Sequence, residues 1–364
     1  MIIDQIVFDR QKIEMNASVM KLLTGGLVGG VALRILPCAV NAKQLKAVRG
    51  RTQQLAMNKY RAMKGDATRL GVNDIVVLAQ EDGSLKASPL QAYIRITTQM
   101  RPTTSSKPLM SKIQVGANVI VDGMEIECKN MQEGENEHTC EFSSAQLKAM
   151  NFEPGINPSF FIIEEMNIRI RFFIYLFDQK DKLVVTDIDG TITKSDTRGF
   201  FGGNLGYSVH HESVNEFFGK VYSNGYKVMY LTARPIAYQS LTRKYLFDTL
   251  SCNNPNDWKH PKNPVFCLPG KAADAALGDS SKGAEGKTTS LQNVLSLFKE
   301  PGNVIVGAYG NNNSDSEAYK NVGVPLNLIY LINKQSKMVN LETKQETSFK
   351  AQATEINSLY PKYQ

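Results

Sequence analysis

The sequence predicts an open α/β sheet that carries a catalytic site, preceded by an all-β sandwich and, at the amino terminus, by a basic helical segment. Three observations lead there. Short apolar, β-branched runs recur after residue 180, at Leu183 to Thr186, Tyr226 to Leu231 and Asn303 to Ala308, and each ends in a polar loop, as parallel strands buried on both faces do. Between residues 70 and 180 the texture is one of short strands separated by turns, at the spacing of a sandwich. Residues 1–69 hold twelve Lys or Arg against four Asp or Glu, a balance of +8 in a chain of net charge +7.

The chain has 364 residues, of which 42% are hydrophobic, enough for about two domains and inconsistent with a disordered chain. In the first segment, Leu22 to Leu33 is uncharged for twelve residues before Arg34 and Pro37 interrupt it. A membrane-spanning helix needs about 20 apolar residues, so this stretch is too short to cross and suits the interface instead. Lys12, Lys21 and Arg34 flank it, and Lys43, Lys46, Arg49, Arg51, Lys59, Arg61 and Lys64 follow, a pattern matched to an anionic membrane surface. Nucleic acid is not the expected partner, because the region lacks interleaved stacking residues and a zinc pattern.

From Leu70 onward, Asp74 to Gln80 is a strand candidate, and Asp82-Gly83 is a hairpin turn signal that returns the chain through Leu85 to Ile96. Lys112 to Val115, Asn118 to Val121, Met124 to Cys128, Ser159 to Ile163 and Ile168 to Phe177 follow, the last alternating Ile168, Ile170, Phe172, Ile174 and Leu176. These short strands predict an antiparallel sandwich of immunoglobulin type that supplies no catalytic group. Gly71 reads as a backbone requirement of that sandwich. The five cysteines, Cys38, Cys128, Cys140, Cys252 and Cys267, have no metal-ligand spacing and read as reduced thiols of a cytoplasmic protein, although Cys128 and Cys140 would be able to pair in an oxidising compartment.

Asp187-Ile-Asp189-Gly190-Thr191 then places two carboxylates at the carboxyl end of the first parallel strand, where open α/β sheets bind their ligands. Asp187 has the chemistry of a nucleophile toward phosphorus, and Asp189 that of an acid for the leaving oxygen and a base for water. A divalent cation lets anion meet anion, and Mg²⁺ suits carboxylates with phosphate oxygens. Thr232, in Thr232-Ala233-Arg234-Pro235, sets a hydroxyl at a second strand end for a phosphoryl oxygen, and Arg234 either orients substrate or locks the motif loop. Leu291, Val294, Leu295 and Phe298 have helical spacing in a segment that Lys287 opens, and the third strand runs into Gly310-Asn311-Asn312-Asn313-Ser314-Asp315. His210 and His211 read as solvated or structural, since Asp189 fills the acid role. Asn253 to Lys287, rich in Gly, Pro and Lys, reads as an irregular excursion whose lysines face phosphate or solvent.

Aspartate pair, hydroxyl, lysine and amide-acid loop, in that order, resemble the haloacid dehalogenase superfamily of phosphotransferases. The extended Asp187-Ile-Asp-Gly-Thr-Ile-Thr-Lys-Ser-Asp-Thr197, with Ser223-Asn-Gly-Tyr-Lys227 and Gly310-Asn311, is similar to the catalytic domain of the lipin family, the Mg²⁺-dependent phosphatidate phosphatases. Gly71-Val-Asn-Asp-Ile-Val-Val with Asp82-Gly-Ser-Leu-Lys-Ala-Ser-Pro-Leu90 is similar to the amino-terminal conserved region of that family, so the resemblance covers roughly residues 70–335. It implies a haloacid dehalogenase-like (Rossmann-like) catalytic domain at 181–340 and an immunoglobulin-like sandwich at 70–180 built from both conserved pieces. A membrane-binding helical segment at 1–69 and a polar tail at 341–364 complete the expectation.

The resemblance also implies hydrolysis of phosphatidate to diacylglycerol and phosphate through an aspartyl phosphate, at the cytoplasmic face of endoplasmic reticulum or nuclear envelope membranes. Thr232 and Lys287 would bind the phosphoryl group. The Asp187 carboxylate, the Asp189 backbone carbonyl and Asn311 would hold Mg²⁺, with Asp315 either a ligand or a support behind one. Many superfamily members have an acid where this chain has Asn311, which leaves one negative charge fewer. A non-catalytic phosphatidate-binding module and a soluble phosphatase of another ester are the alternatives, and the intact aspartates favour catalysis. The L-x-x-I-L coregulator motif of some lipins is absent, since Arg198-Gly199-Phe200-Phe201-Gly202 stands in its place. No motif speaks to oligomeric state.

Overall fold

A computed structural model describes residues 69–95, 109–115, 126–130, 137–164, 167–194, 210–250, 258–269 and 280–363. The expected membrane-binding segment, apart from Arg69, the strand candidate Asn118 to Val121 and the stretch Arg198 to Gly202 lie outside the described residues.

The first part consists of β1 (Arg69–Val72), β2 (Ile75–Ala79), β3 (Leu85–Ala87), β4 (Leu90–Arg95), β5 (Leu109–Val115), β6 (Ile126–Asn130), β7 (Glu137–Cys140), a short helix α1 (Ser144–Ala149), β8 (Gly155–Ile163) and β9 (Ile168–Phe177). The strands order as β1-β4-β7-β6-β5-β8-β9-β2-β3, with β5 as the corner. Leu109 to Ser111 pair with β6, and Lys112 to Val115 pair with β8. The two arms then close on one apolar cluster that takes Leu90, Ala92 and Ile94 from β4 and Phe161, Ile163, Ile170 and Phe172 from β8 and β9. That is a sandwich, built on the period-two alternation legible in β9.

Three details differ from the sequence reading. β2 pairs with β9 in parallel, while the other pairs of this part are antiparallel. Most of the sandwich separates β2 from β9 in sequence, so no hairpin dictates their direction. Leu85 to Ile96 is not one strand but two, because Pro89 has no N–H for a ladder and Ser88 turns its Oγ to accept from the Val76 N–H at 3.0 Å. Cys140 is disulfide-bonded rather than reduced, and the register sets Cys128 directly opposite it. Facing Cα atoms in an antiparallel pair stand ~4.5–5.5 Å apart, within disulfide reach.

The second part contains β10 (Leu183–Thr186), α2 (Val214–Ser223), β11 (Lys227–Pro235), α3 (Gln239–Lys244), β12 (Val265–Leu268), α4 (Ser280–Leu295), β13 (Ile305–Gly310), α5 (Asn313–Asn321), β14 (Ile329–Ile332), β15 (Met338–Asn340), β16 (Glu346–Thr347), α6 (Phe349–Thr354) and α7 (Ile356–Leu359). The sheet order is β12-β11-β10-β13-β14-β15-β16, parallel through β14 and antiparallel thereafter. Alternate side chains of each central strand feed two cores. Val184, Val228 and Tyr230 join Phe217 and Phe218 of α2 on one face, and Val185, Met229 and Leu231 join Leu291, Val294 and Leu295 of α4 on the other. The segment read as irregular therefore contains the edge strand β12 and the first turns of α4, with Lys287 inside the helix rather than at its start.

The expected polar tail is also corrected. Phe349, Ala353, Ile356 and Tyr360 recur at helical spacing and enter the core beside α2. Asn224 donates to the Tyr360 carbonyl at 2.6 Å and accepts, through its own carbonyl, from the Tyr363 N–H at 2.7 Å. Residues beyond 340 thus belong to the core of the second sheet.

The two parts are joined through side chains. Asn73 donates to the Cys267 carbonyl at 2.8 Å and accepts from the Cys267 N–H at 2.9 Å, so its carboxamide takes the place of a further strand beside β12. The buried Asp74 accepts from Phe173 N–H at 2.9 Å, Val265 N–H at 3.0 Å and Arg243. Burial raises its pKa, and Arg243 opposes that. Val76, Leu78, Tyr175 and Phe177 of the sandwich complete the core on the α4 face.

Gly71 serves this junction rather than the sandwich, since a Cβ there would stand 1.9 Å from the Ile236 carbonyl oxygen. Gly71→Ala is expected to lower stability by about 1–3 kcal/mol in urea unfolding, while Gly302→Ala, which meets nothing within 4 Å, stays within ~0.5 kcal/mol. Burial pushes His260 down from 6.5 to about 3, so the folded state holds it neutral. Stability from this group is complete above the unfolded value and is lost as pH falls toward 3. His260→Phe is expected to flatten the acid limb of a stability-versus-pH curve, because Phe keeps the ring contact with Phe218 and Tyr230 retains its bond to the Pro261 carbonyl.

Candidate active site

The chain runs from β10 to β11 and β12 on one side and then crosses to β13 on the other. Strand order therefore reverses between β10 and β13, and the crevice at their carboxyl ends is where an open sheet receives ligands. Asp187 follows β10 directly, and its N–H donates to the Tyr309 carbonyl at 2.9 Å, which holds the turn against β13. Gly190 completes the turn with φ +90°, and a Cβ there would stand 2.1 Å from Asn311 Nδ2. Glycine is thus required twice, for conformation and for the approach of Asn311.

All seven residues expected at the site converge, and five are buried charges. Lys287 Nζ donates to Asp187 Oδ1 at 2.7 Å and also to Asp315 Oδ1. The Arg234 guanidinium takes both oxygens of Asp189, through Nε and NH2, each at 2.7 Å. Relative exposures are 3% for Asp187, 6% for Asp189, 2% for Arg234, 1% for Lys287 and 0% for Asp315, so these pairs lie in a dry site where a lone charge would be costly. Of the two roles open to Arg234 in the sequence, the geometry is that of locking the motif loop. Thr232 Oγ1 lies 3.3 Å from Asp189 Oδ2 and accepts from the Arg234 N–H at 3.2 Å.

Burial is the main cause that raises Asp187 to about 7; Lys287 opposes it, and Asp315 and Asp189 add to it. Burial alone would push Lys287 down, but Asp187 and Asp315 together hold its ammonium above its ordinary range. Three carboxylates face two cations, a formal −1 in the buried cluster. That excess fits a bound cation. Among the described residues no group of three or more His, Cys, Asp or Glu gathers as a metal site. A cation here would rest on a mixed oxygen set, and an ion that keeps several waters suits such a set.

Asp315 is fixed on both sides. Its Oδ2 accepts from the Asn311 and Asn312 N–H groups at 2.9 and 3.2 Å while Oδ1 faces Lys287. With Asn312 as N-cap and Asp315 three residues on, the pair forms a capping box that starts α5. That Asn-x-x-Asp pattern is visible in the sequence and would have marked Asp315 as a structural anchor. Two further residues contact the turn after β10, Thr191, which had no role in the sequence reading, and His211, read there as solvated or structural. Thr191 Oγ1 donates to Asp187 Oδ2 at 3.2 Å, and the wholly buried His211 reaches the Gly190 carbonyl. Lys259, Lys262 and Lys282 of the former excursion are exposed to solvent.

The family model described as LNS2 (Lipin/Ned1/Smp2) matches residues 138–361. A human protein named phosphatidate phosphatase LPIN1 is 31% identical over 223 residues, 60% of this chain and 25% of that protein. The Saccharomyces cerevisiae protein named phosphatidic acid phosphohydrolase 1 is 28% identical over 233 residues, 61% of this chain and 26% of its own length. One from Arabidopsis thaliana, named phosphatidate phosphatase PAH1, is 26% identical over 269 residues, 72% of this chain and 27% of its own. The chain thus spans about a quarter of the length of these relatives.

Removing the cation between two buried carboxylates leaves both unpaired. Lys287→Met is expected to cost about 3–5 kcal/mol in urea unfolding, and adding Asp315→Asn to it should recover part of that loss.

Proposed function

The chain belongs to the Lipin/Ned1/Smp2 family, and from that premise we propose that it is a Mg²⁺-dependent phosphatidate phosphatase. The observation that carries the reading is the buried pair Asp187 and Asp189, two residues apart at the switch point, each with its own buried cation. Lys287 and Thr191 orient the two oxygens of Asp187, which attacks phosphorus and becomes an aspartyl phosphate. The P–O bond to the glycerol oxygen breaks, and Asp189 gives that oxygen a proton. Asp189 then takes a proton from the water that hydrolyses the acyl phosphate, returning Asp187 and releasing phosphate. Because both oxygens of Asp189 accept from Arg234 in this structure, the acid step requires that pair to open.

The mixed set of Asp187, the Asp189 carbonyl and Asn311 would hold Mg²⁺, with Asp315 supporting Asn311 from behind through its backbone N–H. Mg²⁺ supplies charge that turns the formal −1 of the cluster to +1 and so favours a phosphoryl anion. Thr232 and Lys287 are the phosphoryl contacts in this reading. Diacylglycerol forms at an anionic, cytoplasmic membrane surface, with residues 1–69 as the attachment. No helix of the described residues is long and apolar enough to cross a membrane. The sandwich, of immunoglobulin type in this reading, braces the β12 edge and contributes no catalytic group.

Phosphate release from phosphatidate in detergent micelles tests the reading. The native chain should turn over with Mg²⁺, lose activity in EDTA and recover when Mg²⁺ is restored. Asp187→Asn should abolish turnover, and Asp189→Asn should lower kcat by about 100-fold or more. Binding of phosphatidate vesicles by a native chain without turnover would move the assignment to a lipid-binding module.

A further inference from the structure

His211 is a buried side chain, not assigned to the reaction, that reaches the catalytic turn from a later segment of the chain. Its Nε2 lies 3.3 Å from the Gly190 carbonyl oxygen and its Nδ1 2.8 Å from Ser336 Oγ. A carbonyl oxygen only accepts, so Nε2 carries the proton, Nδ1 accepts and the Ser336 hydroxyl donates. The partners therefore fix one neutral tautomer. Burial agrees with it, pushing His211 down from 6.5 to about 4. The backbone is tied as well, since the His211 N–H donates to the Ile192 carbonyl at 3.1 Å and His210 bridges Thr193.

The peptide held in this way follows the glycine of the turn. Gly190 sits at φ +90° without a Cβ, and its carbonyl belongs to the peptide that presents Thr191. Within the turn, the Thr191 N–H reaches the Ile188 carbonyl only at 3.4 Å, a long bond. Ser336 is placed by the tight turn between β14 and β15, at φ +68° with its N–H on the Asn333 carbonyl at 3.0 Å.

We propose that His211 is a positioning residue, which pins the Gly190–Thr191 peptide to the β14–β15 turn and so keeps the Thr191 hydroxyl on Asp187. His211 touches neither Asp187 nor the substrate side of the cluster; it acts through the turn. The effect on turnover rests on the reading of Asp187 as the nucleophile, whereas the effect on the turn does not.

The test compares His211→Gln, whose carboxamide nitrogen can still donate to the Gly190 carbonyl, with His211→Phe, which keeps a ring against Phe349 and loses the donor. Ser336→Ala removes the outer partner from a half-buried position should the Phe variant fail to fold. Amide hydrogen exchange of residues 188–193, thermal unfolding, and kcat and KM for phosphate release from phosphatidate micelles are measured on each. Exchange at 188–193 is expected to quicken about tenfold in His211→Phe, the equivalent of one lost hydrogen bond, with kcat falling by a similar factor and KM within about twofold. His211→Gln should restore both to within about threefold, and Ser336→Ala should shift both in the same direction by less. Unchanged exchange and kcat in His211→Phe and Ser336→Ala would overturn the proposal, as would equal loss in the Gln and Phe variants alongside a general fall in melting temperature. The exchange pattern without turnover in the native chain would sustain the positioning role and overturn the phosphatase reading.

Discussion

Lys287 brings two buried carboxylates from different loops to within reach of one ammonium, and most of the second part of the molecule is arranged so that it can. Asp187 arrives on β10 and Asp315 on the first turn of α5, at opposite sides of the switch point. Burial and the neighbouring Asp315 both favour protonation of Asp187, and Lys287 opposes them. Lys287 reaches them from the middle of α4, whose Leu291, Val294 and Leu295 anchor the helix on the core. Apolar packing, a helix cap and two strand ends thus meet in one ion triad.

The sandwich stands behind the same arrangement at one remove. β12 is the outer strand of the catalytic sheet, with no further strand beyond it in the sheet order. Asn73 supplies that missing partner with one carboxamide, and Asp74 takes the Val265 N–H. Thr232 pairs with Cys267 in the register, so the clamp lies one strand away from the hydroxyl that touches Asp189. The family match begins at residue 138, yet this clamp comes from residues 73 and 74. The first strands are therefore part of what shapes the catalytic sheet even though they lie outside the matched residues.

Legibility of the fold followed the strength of the local pattern. β9 alternates apolar and polar residues from Ile168 to Phe172, and β10 is apolar from Leu183 to Val185 and buried throughout because both of its faces are covered. Both were plain in the sequence. β7, Glu-His-Thr-Cys, carries no apolar alternation and is held by its neighbours in the sheet, so nothing local announced it. The residues beyond 340 are polar on average, and averaging hid the single apolar face of Phe349, Ala353, Ile356 and Tyr360. At the site, residue types picked out seven side chains that the structure brings together, but roles that depend on distance did not follow. Only geometry assigns Arg234 to Asp189, and only the hairpin register sets Cys128 across from Cys140.

The satisfied state of the resting site has its own consequence. Both buried cations face carboxylates, Lys287 on Asp187 and Asp315 and Arg234 on Asp189, so an incoming anion has to share them with groups already paired. A phosphoryl dianion entering this crevice meets a cluster of formal −1, and Coulomb repulsion in a dry site is strong. Binding then depends on charge brought from elsewhere or on the rearrangement of an existing pair. Of the pairs present, the Arg234 and Asp189 fork is the one whose opening the proposed reaction calls for, since that reading gives Asp189 the proton for the leaving oxygen. In the same proposed reaction the Lys287 triad has the opposite requirement, because Asp187 acts from a fixed position. Asp315 meets that requirement, anchored by two backbone N–H groups while it shares Lys287 with Asp187.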